Sequence, residues 1–364
     1  MPNPNSESEV RMPNPKFESE SPNPKFESES RIPNPESRQM SLNWGLIGAG
    51  DIVRRRVAAA LREAAHSDLL AVTRARADLV ETFARDVGAR RWYANWRDLV
   101  GDAEVQAVYV ATPVHLHAEQ TIAAAEAGKH VLCEKPMAMD VSECDRMIAA
   151  CRASGVTLGV AYYRRFYPAV VRVRQLVDAG AIGEPVFAQM IASEPFDPRP
   201  GAPRYWLVQR SQSGGGPMAD FGCHRLEVLL HLLGPVRRVT SVVATVALDR
   251  EVEDTAAALL QFERGACAMV AVTNAAAERQ DTLDVFGTLG SIRVGALNSG
   301  EIIIRAGDVE RAESHPPAPN VHAPLVDDFL EAVRDRRDPA VDGSVGRAVA
   351  AIQDQIYADT PSIR

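Results

Sequence analysis

Lysine is nearly absent from this sequence. Of its 40 basic residues only four are lysines, at positions 16, 25, 129 and 135, and the others are arginines. Arginine does not lose its proton in a protein, whereas burial and neighbouring charges can bring a lysine ammonium to exchange protons near neutral pH. Lys135 is therefore a candidate acid or base, and the simpler alternative is an exposed surface charge.

Long apolar runs are lacking as well. No run approaches the roughly 18 residues of a membrane-spanning helix, and the start does not resemble a signal peptide. The net charge of −8 and the pI near 5.6 argue against nucleic acid or an anionic membrane as the partner. The five cysteines form no CxxC pair and no zinc spacing. We therefore expect reduced thiols, no metal site and a cytoplasmic location.

Residues 1–39 differ in composition from the rest of the chain. The repeat PNPKFESES occupies 13–21 and 22–30, and the segment holds eight of the 24 prolines. A stretch rich in Pro, Ser and Glu without apolar periodicity is predicted to be disordered. We expect translation to start at Met40, with a flexible docking tail as the alternative.

The remaining residues predict two domains, and the first, over 40–163, begins with a strand, a glycine turn and a helix. In WGLIGAGDIV an apolar run precedes Gly48 and Gly50, and a helical stretch begins with Asp51 and Ile52. In such a motif the first glycine allows a tight turn and the second lets the backbone approach a pyrophosphate at the helix N-terminus. Val53 occupies the third position, where the usual fingerprint has a small residue. The sequence therefore predicts a dinucleotide site at these residues.

The alternation of strands and helices continues toward Lys135. Strands are predicted at 69–73, 106–112 and 130–134, with helices at 78–87 and 117–127. Such repetition predicts a Rossmann-type α/β domain with a parallel sheet, whose ligands lie beyond the carboxyl ends of the strands. The residues at such ends are Thr112, Pro113, Glu134 and Lys135. This placement favours a site residue at 135, while Lys129, which precedes its strand, is predicted to be a surface charge.

The end of the second strand indicates which cofactor is bound. NAD-binding proteins usually carry an acid there, whereas this sequence reads Thr73, Arg74, Ala75, Arg76. A hydroxyl and two guanidinium groups suit a 2′-phosphate, so NADP is favoured and NAD remains possible. The alternative is that these arginines are solvated residues at the start of a helix.

The second domain, over 164–364, has a different pattern. Several runs alternate apolar and polar residues, as in a sheet with one buried face. These runs are 185–192, 236–248, 255–263, 266–273, 282–287 and 301–305. Helices are predicted near 170–179, 322–335 and 344–358. The prediction is an α+β domain with an open, mostly antiparallel sheet that binds substrate and forms oligomers.

A glycine run in this domain precedes a predicted helix with two polar candidates. In SGGGPMADFGCHRLE a spacing of four places Asp220 and His224 on one helix face. His224 would then act as a proton shuttle that the carboxylate orients, although such pairs on apolar helices are often structural. Trp206 and Arg210 are candidates for a sugar site, with packing as an equal account of Trp206.

Two arginines and a histidine complete the candidates. Arg164 and Arg165 follow a strand-like segment at the domain junction, where one of them could touch a cofactor phosphate or bridge the domains. Arg164 is assigned to the cofactor and Arg165 to the substrate. The histidine is His117, which only the family resemblance of the combined segments places near the cofactor end of the sheet, as a cap or through an indirect bond.

These segments together resemble the Gfo/Idh/MocA oxidoreductases, a family named after glucose-fructose oxidoreductase and inositol dehydrogenase. The resemblance spans residues 43–358 and is carried by GLIGAGDI, EKP at 134–136, AYYRRFYPAV and the glycine-run segment. It implies that Lys135 lies beside the nicotinamide as the catalytic lysine and that Asp220 and His224 accompany it. It also implies a homodimer or higher oligomer formed through the uncovered sheet face.

The function expected is hydride transfer between NADP and a secondary alcohol of a sugar, cyclitol or related polyol, or the matching ketone. In oxidation, Lys135 aided by His224 would accept the hydroxyl proton. Two alternatives stay open: transient oxidation that enables elimination or glycoside cleavage, and an NADP-sensing regulator without turnover. Dihydrodiols and anhydro-sugars are also possible substrates.

Overall fold

Six parallel strands form the first sheet of the computed structural model, which describes residues 41–358. The strands lie in the order β3-β2-β1-β4-β5-β6, and every neighbouring pair is parallel. They are β1 (Leu42–Ile47), β2 (Ser67–Thr73), β3 (Arg91–Tyr93), β4 (Ala107–Val110), β5 (His130–Cys133) and β6 (Leu158–Val160). All four residues of β4 are buried, as expected for a central strand covered on both faces.

Five helices belong to this sheet, of which three follow the predicted alternation and two, at 96–101 and 141–153, were not predicted. They are α1 (Ala58–Glu63), α2 (Val80–Val87), α3 (Trp96–Gly101), α4 (His117–Glu126) and α5 (Val141–Ala153). A π-helical turn, Val53–Val57, precedes α1. Val53 is completely buried in it, so the bulky third residue of the glycine motif is accommodated within the core.

Eight strands form the second sheet, in the order β14-β13-β12-β11-β7-β10-β9-β8. They are β7 (Pro185–Ser193), β8 (Val236–Ala244), β9 (Thr255–Phe262), β10 (Cys267–Thr273), β11 (Gln280–Gly287), β12 (Gly290–Val294), β13 (Glu301–Ala306) and β14 (Val309–Ser314). Only the β7–β10 pair is parallel among these strands, so the predicted mostly antiparallel sheet is confirmed. β14 escaped prediction because almost all of its residues are exposed and do not alternate.

Five further helices belong to this part of the chain, and three of them pack against the sheet or against one another. They are α6 (Pro168–Asp178), α7 (Arg210–Ser213), α8 (Cys223–Leu233), α9 (Ala323–Asp335) and α10 (Gly343–Ala358). The sheet also exposes large apolar side chains, among them Val242 of β8, Leu259 of β9 and Ile303 of β13. In β9 buried and exposed residues alternate, so Leu259 lies on the open face.

Lys129 is not the surface residue that the sequence predicted. Its side chain is buried, and its ammonium donates to the main-chain oxygens of Asp102 at 2.9 Å and Val105 at 2.7 Å. The prediction was wrong because a lysine can bury its apolar stem wherever carbonyl groups receive the charged end. Lys129 therefore joins the loop after α3 to the start of β5.

Other expectations concern the termini, the thiols and membranes. The repeat segment 1–39 and Met40 lie outside the described residues. The five cysteines are all free thiols. Within residues 41–358, no helix combines the length and apolar character that crossing a bilayer requires.

Candidate active site

A cavity of about 750 Å³ lies beyond the carboxyl ends of the parallel strands. Residues from both sheets and from α8 line it. The candidates that the structure brings together there are Gly48, Gly50, Asp51, Ile52, Arg74, Arg76, Thr112, Pro113, Glu134, Lys135, Arg164, Trp206, Asp220 and His224.

Besides Arg210, whose guanidinium donates to the Glu251 main-chain oxygen at 3.4 Å, three further candidates do not line this cavity. Thr73 is buried at the end of β2, where its main-chain oxygen accepts from the Gly48 amide at 3.1 Å. Arg165 instead donates to the Glu227 carboxylate and to the Ala340 main-chain oxygen, each at 2.6 Å. His117, the third, is buried at the start of α4.

His117 lies between two loops of the site. Its Nδ1 is 2.9 Å from the Pro136 main-chain oxygen, and its Nε2 is 2.9 Å from that of Thr112. Burial lowers the pKa of His117, and a neutral imidazole has a single N–H, so it donates to one of these oxygens at a time. The residue thus connects the loop after β4 with the segment that follows Lys135.

The glycine turn after β1 fits a pyrophosphate. Gly48 has a φ of +114°, and a Cβ there would lie 2.3 Å from the Ala111 main-chain oxygen, so both its conformation and its surroundings require glycine. A Cβ on Gly50 would meet no atom within 4 Å. No protein contact demands glycine at position 50, whereas a ligand that approaches the backbone would. The amides at a helix N-terminus lack intrahelical partners and suit such an anion.

Two arginines lie at the end of β2, but only one of them is paired with a carboxylate. Arg76 donates to both oxygens of Asp78, at 3.2 and 2.7 Å. The Arg74 guanidinium lies 5.7 Å from the centre of the Phe83 ring and forms no ion pair with any described residue. The Arg74 guanidinium is therefore available to form an ion pair with a bound anion.

Lys135 follows β5 and binds Asp220 at two points. Its Nζ donates to the Asp220 main-chain oxygen at 2.7 Å and to Oδ1 at 3.0 Å. Burial alone would lower the pKa of Lys135, but the negative charge of Asp220 outweighs burial and raises it above its ordinary value. The free protein thus holds an ammonium, and not the near-neutral lysine that the sequence suggested.

His224 has the opposite protonation tendency. It is buried, and burial together with the nearby Lys135 and Arg164 charges keeps the pKa of His224 well below its ordinary value. Its Nδ1 has no hydrogen-bond partner among the described residues. A protonated lysine and a neutral imidazole, both lining one cavity, are the states that an acid and a base require.

Asp220 stays ionised between two cations. Burial would raise the pKa of Asp220, but Lys135 and Arg204 bring it below its ordinary value. The Arg204 Nη2 lies 3.5 Å from Oδ2, on the side away from Lys135. Arg204 has a φ of +69°, which is uncommon for a residue other than glycine, and its guanidinium stacks on Phe196 at 4.6 Å.

The glycine run determines where the Asp220 helix begins. A Cβ on Gly215 would lie 2.1 Å from the Tyr357 hydroxyl, and one on Gly216 would lie 2.1 Å from the Glu253 main-chain oxygen. The buried Glu253 carboxylate accepts from the amides of Gly216 and Met218 and from the Tyr357 hydroxyl. The helix then starts as a π-helical turn, Met218–Gly222, and continues as α8.

Arg164 reaches the cavity from a buried ion cluster. Its Nη1 lies 2.6 Å from one Asp281 oxygen, and the Arg225 Nη2 lies 2.6 Å from the other. Two guanidinium groups thus share one carboxylate, which leaves an excess positive charge near the cavity. Asp281 belongs to β11, so Arg164 connects the segment after β6 with the second sheet.

Several lining residues had no signal in the sequence. They are Arg55, Arg56, Tyr163, Glu194, Arg204 and Arg279. Arginine is too common in this chain for any one guanidinium to stand out. The tyrosine pair in AYYRRF could have been singled out, because aromatic residues next to two consecutive arginines are suited to line a ligand-binding cavity.

Comparison with known proteins agrees with this geometry. Residues 42–162 match the model of an oxidoreductase family with an NAD-binding Rossmann fold, and residues 170–293 match the GFO/IDH/MocA C-terminal domain. The chain belongs to the Gfo/Idh/MocA oxidoreductase family. It is therefore a dehydrogenase or reductase with a nicotinamide-dinucleotide domain, as the motifs predicted.

Individual family members show how far the likeness extends. A 1,5-anhydro-D-fructose reductase from Ensifer adhaerens is 30% identical over 310 residues, which cover 83% of this chain and 91% of that protein. A levoglucosan dehydrogenase structure in complex with NADH and levoglucosan superposes with a TM-score of 0.80 at 26% identity, over 87% of this chain and 96% of its own. An aldose-aldose oxidoreductase from Caulobacter crescentus, complexed with glycerol, gives a TM-score of 0.79 at 28% identity, over 88% and 97%.

Proposed function

We propose that this Gfo/Idh/MocA protein is an NADP-dependent dehydrogenase or reductase for a secondary alcohol, or the matching ketone, of a sugar, cyclitol or related polyol. The observation that supports it best is the pairing of a protonated Lys135 with a neutral His224 around Asp220. These three residues lie in the cavity that the glycine turn also lines. NAD remains the alternative cofactor.

The cofactor would accept or supply the hydride, and residues 48–52 would bind its pyrophosphate. In reduction, the Lys135 ammonium donates a proton to the carbonyl oxygen as the carbonyl carbon becomes a carbinol. In oxidation the same path runs in reverse: Lys135 passes its own proton to the neutral His224 and then accepts the hydroxyl proton. Because the resting states are an ammonium at Lys135 and a neutral imidazole at His224, His224 is the final proton acceptor in oxidation.

The substrate end of the cavity combines an aromatic wall with polar groups. Trp206 and Phe221 offer apolar faces, while Ser213 and Arg204 offer hydrogen-bond donors. This combination suits a cyclic polyhydroxy compound. Relatives named for 1,5-anhydro-D-fructose and levoglucosan support the same substrate class, including anhydro-sugars.

Arg74 supports NADP over NAD. It lines the cavity at the end of β2 without an ion-pair partner among the described residues, and no acidic residue occupies 73–76. A 2′-phosphate would supply the missing anion.

The open face of the second sheet supports a homodimer. Its exposed apolar side chains would leave water if two copies met there, and we propose that a second copy of this chain covers it.

A substrate panel tests the proposed activity. Sugars, anhydro-sugars, inositols and their keto forms would be followed at 340 nm with NADP and NAD in parallel. We expect turnover of a cyclic polyol or ketone, faster with NADP. Substrate consumption without net absorbance change would instead favour transient oxidation, and binding of NADP without turnover of any member would favour a sensor.

A further inference from the structure

His322 is the most unusual buried polar residue near the site. Its side chain is completely buried, and neither of its ring nitrogens has a hydrogen-bond partner among residues 41–358. A buried polar group without partners destabilises the folded protein, so this residue is present against an energetic penalty. It does not line the cavity, so any effect on a ligand must pass through its neighbours.

Its first neighbour is the residue that precedes the catalytic lysine. The His322 Nε2 lies 3.8 Å from Glu134 Oε1, so a small side-chain movement would form a hydrogen bond. Glu134 Oε1 also accepts from the Tyr109 hydroxyl at 2.8 Å, and its other oxygen accepts from the Lys135 amide at 3.2 Å. Glu134 therefore joins His322 to the main chain of Lys135.

Its second neighbour is Tyr163, whose ring lies beside the catalytic histidine. The His322 ring centre lies 4.4 Å from that of Tyr163, which lies 4.7 Å from that of His224. Tyr163 is thus held between two imidazoles and also lines the cavity. His322 therefore lies next to Glu134, which precedes Lys135, and next to Tyr163, which packs on His224.

The backbone at His322 is itself anchored. Its amide donates to the Asn320 side chain, whose own amide donates to the main-chain oxygen of Arg56 at 2.9 Å. Its carbonyl accepts from Val326 in the first turn of α9. The backbone that carries the imidazole is therefore held both to the π-helical turn before α1 and to α9.

We propose that His322 is a positioning residue for hydride transfer, which fixes Glu134 on one side and Tyr163 on the other and so aligns Lys135 with His224. The inference rests on the proposed function for its kinetic consequence only. The charged or titratable groups around Glu134 are Tyr109, Lys135, His117 and His322. Those around His322 also include Tyr163 and His224.

His322→Phe tests the proposal, because it keeps a ring against Tyr163 and removes the nitrogen that faces Glu134. We expect kcat to fall about 10–10²-fold through misalignment, with a smaller change in KM. His322→Gln can still donate to Glu134 and should recover most of the turnover. His231→Phe, on α8 outside the cavity lining, should leave kcat at the wild-type value.

A thermal-stability cycle gives a readout that needs no substrate. Burial would raise the pKa of Glu134, yet His322, Lys135 and Tyr109 together bring it below its ordinary value of 4.5. Such a carboxylate contributes stability above its unfolded pKa and loses it as pH falls through the folded pKa. The Tm of His322→Phe minus that of the wild type should therefore be more negative at pH 7 than at pH 4, on top of a pH-independent gain from removing an unpartnered imidazole, and this pH dependence should vanish in a Glu134→Gln background.

The two proposals fail in different ways. A wild-type protein that turns over no alcohol or ketone overturns the proposed function, while the stability cycle still tests His322. Wild-type kcat in His322→Phe, or a change in Tm that is equal at both pH values and unaffected by Glu134→Gln, overturns the positioning role.

Discussion

Lys135 donates to both the main-chain oxygen and the carboxylate of Asp220, a residue 85 positions further along the chain. This double contact joins the end of β5 to the π-helical turn before α8. It fixes the ammonium in place and keeps it charged, so the Asp220 carboxylate controls when Lys135 can give up its proton.

Asp220→Asn should therefore change the pH dependence of ketone reduction. Without the carboxylate, burial lowers the pKa of Lys135, and a lysine that must donate a proton fails as pH rises through that lower value. The wild type should show no basic limb from Lys135 below about pH 10, whereas the variant should show one at lower pH. The profile of kcat/KM, which reports the free enzyme, measures this. Superimposable profiles would contradict the coupling.

Lys129 and Lys135 should give opposite phenotypes. Lys135→Met should lower turnover about 10²–10⁴-fold with cofactor affinity nearly intact, since general acid and base groups contribute that much. Lys129→Met removes the ammonium that donates to the buried Val105 carbonyl and to the Asp102 carbonyl, so it should cost roughly 1–3 kcal/mol of stability and spare kcat in the folded fraction. Kinetics, cofactor fluorescence and denaturant unfolding separate the two. Near wild-type turnover in Lys135→Met would remove Lys135 from the chemistry.

Local sequence signals led to the parallel sheet and to most of the cavity lining. Gly48 and Lys135 follow apolar runs that can only be buried strands, and parallel strands bring their carboxyl ends to one edge. Asp220 and His224 share a helix, so their spacing along the chain already placed them together. Such residues are predictable because their neighbours in sequence are also their neighbours in space.

Residues whose surroundings come from distant segments were missed or misplaced. Lys129 is buried by carbonyls of the loop after α3, and Arg165 is turned from the cavity by Glu227 and Ala340. His322 follows a proline-rich stretch with no helical or strand pattern, and its importance depends on Glu134. A single sequence without the fold carries no signal for such contacts.

Arg74→Ala tests the cofactor preference. If the unpaired guanidinium binds a 2′-phosphate, its removal should raise KM for NADP about 10-fold or more and leave KM for NAD nearly unchanged, since a charge-assisted hydrogen bond is worth roughly 1.5–3 kcal/mol. Arg76→Ala is the matched control, because Arg76 is already paired with Asp78 and should matter less. Equal effects on both cofactors would show that Arg74 does not discriminate between them.

Leu259→Arg should break the proposed dimer. Leu259 is 57% exposed on the open face of β9, and a guanidinium there would oppose burial against a second copy. Leu289→Arg makes the same change at a residue that is 67% exposed in the turn between β11 and β12, so it should keep the assembly intact. Sedimentation velocity should give twice the 39.5 kDa chain mass for the wild type and this control. A monomeric wild type would rule the dimer out.

The glycines of the turn after β1 should differ in what their substitution damages. Gly48→Ala places a side chain at a φ of +114° and 2.3 Å from a main-chain oxygen, so it should cost at least about 1–3 kcal/mol of stability. Gly50→Ala enters open space, so its Tm should match the wild type while its cofactor affinity falls, because the added methyl group occupies the path of the pyrophosphate. Thermal unfolding together with NADPH fluorescence titration measures both quantities for each variant. Wild-type NADPH affinity in a folded Gly50→Ala protein would mean that the pyrophosphate does not approach the backbone at this turn.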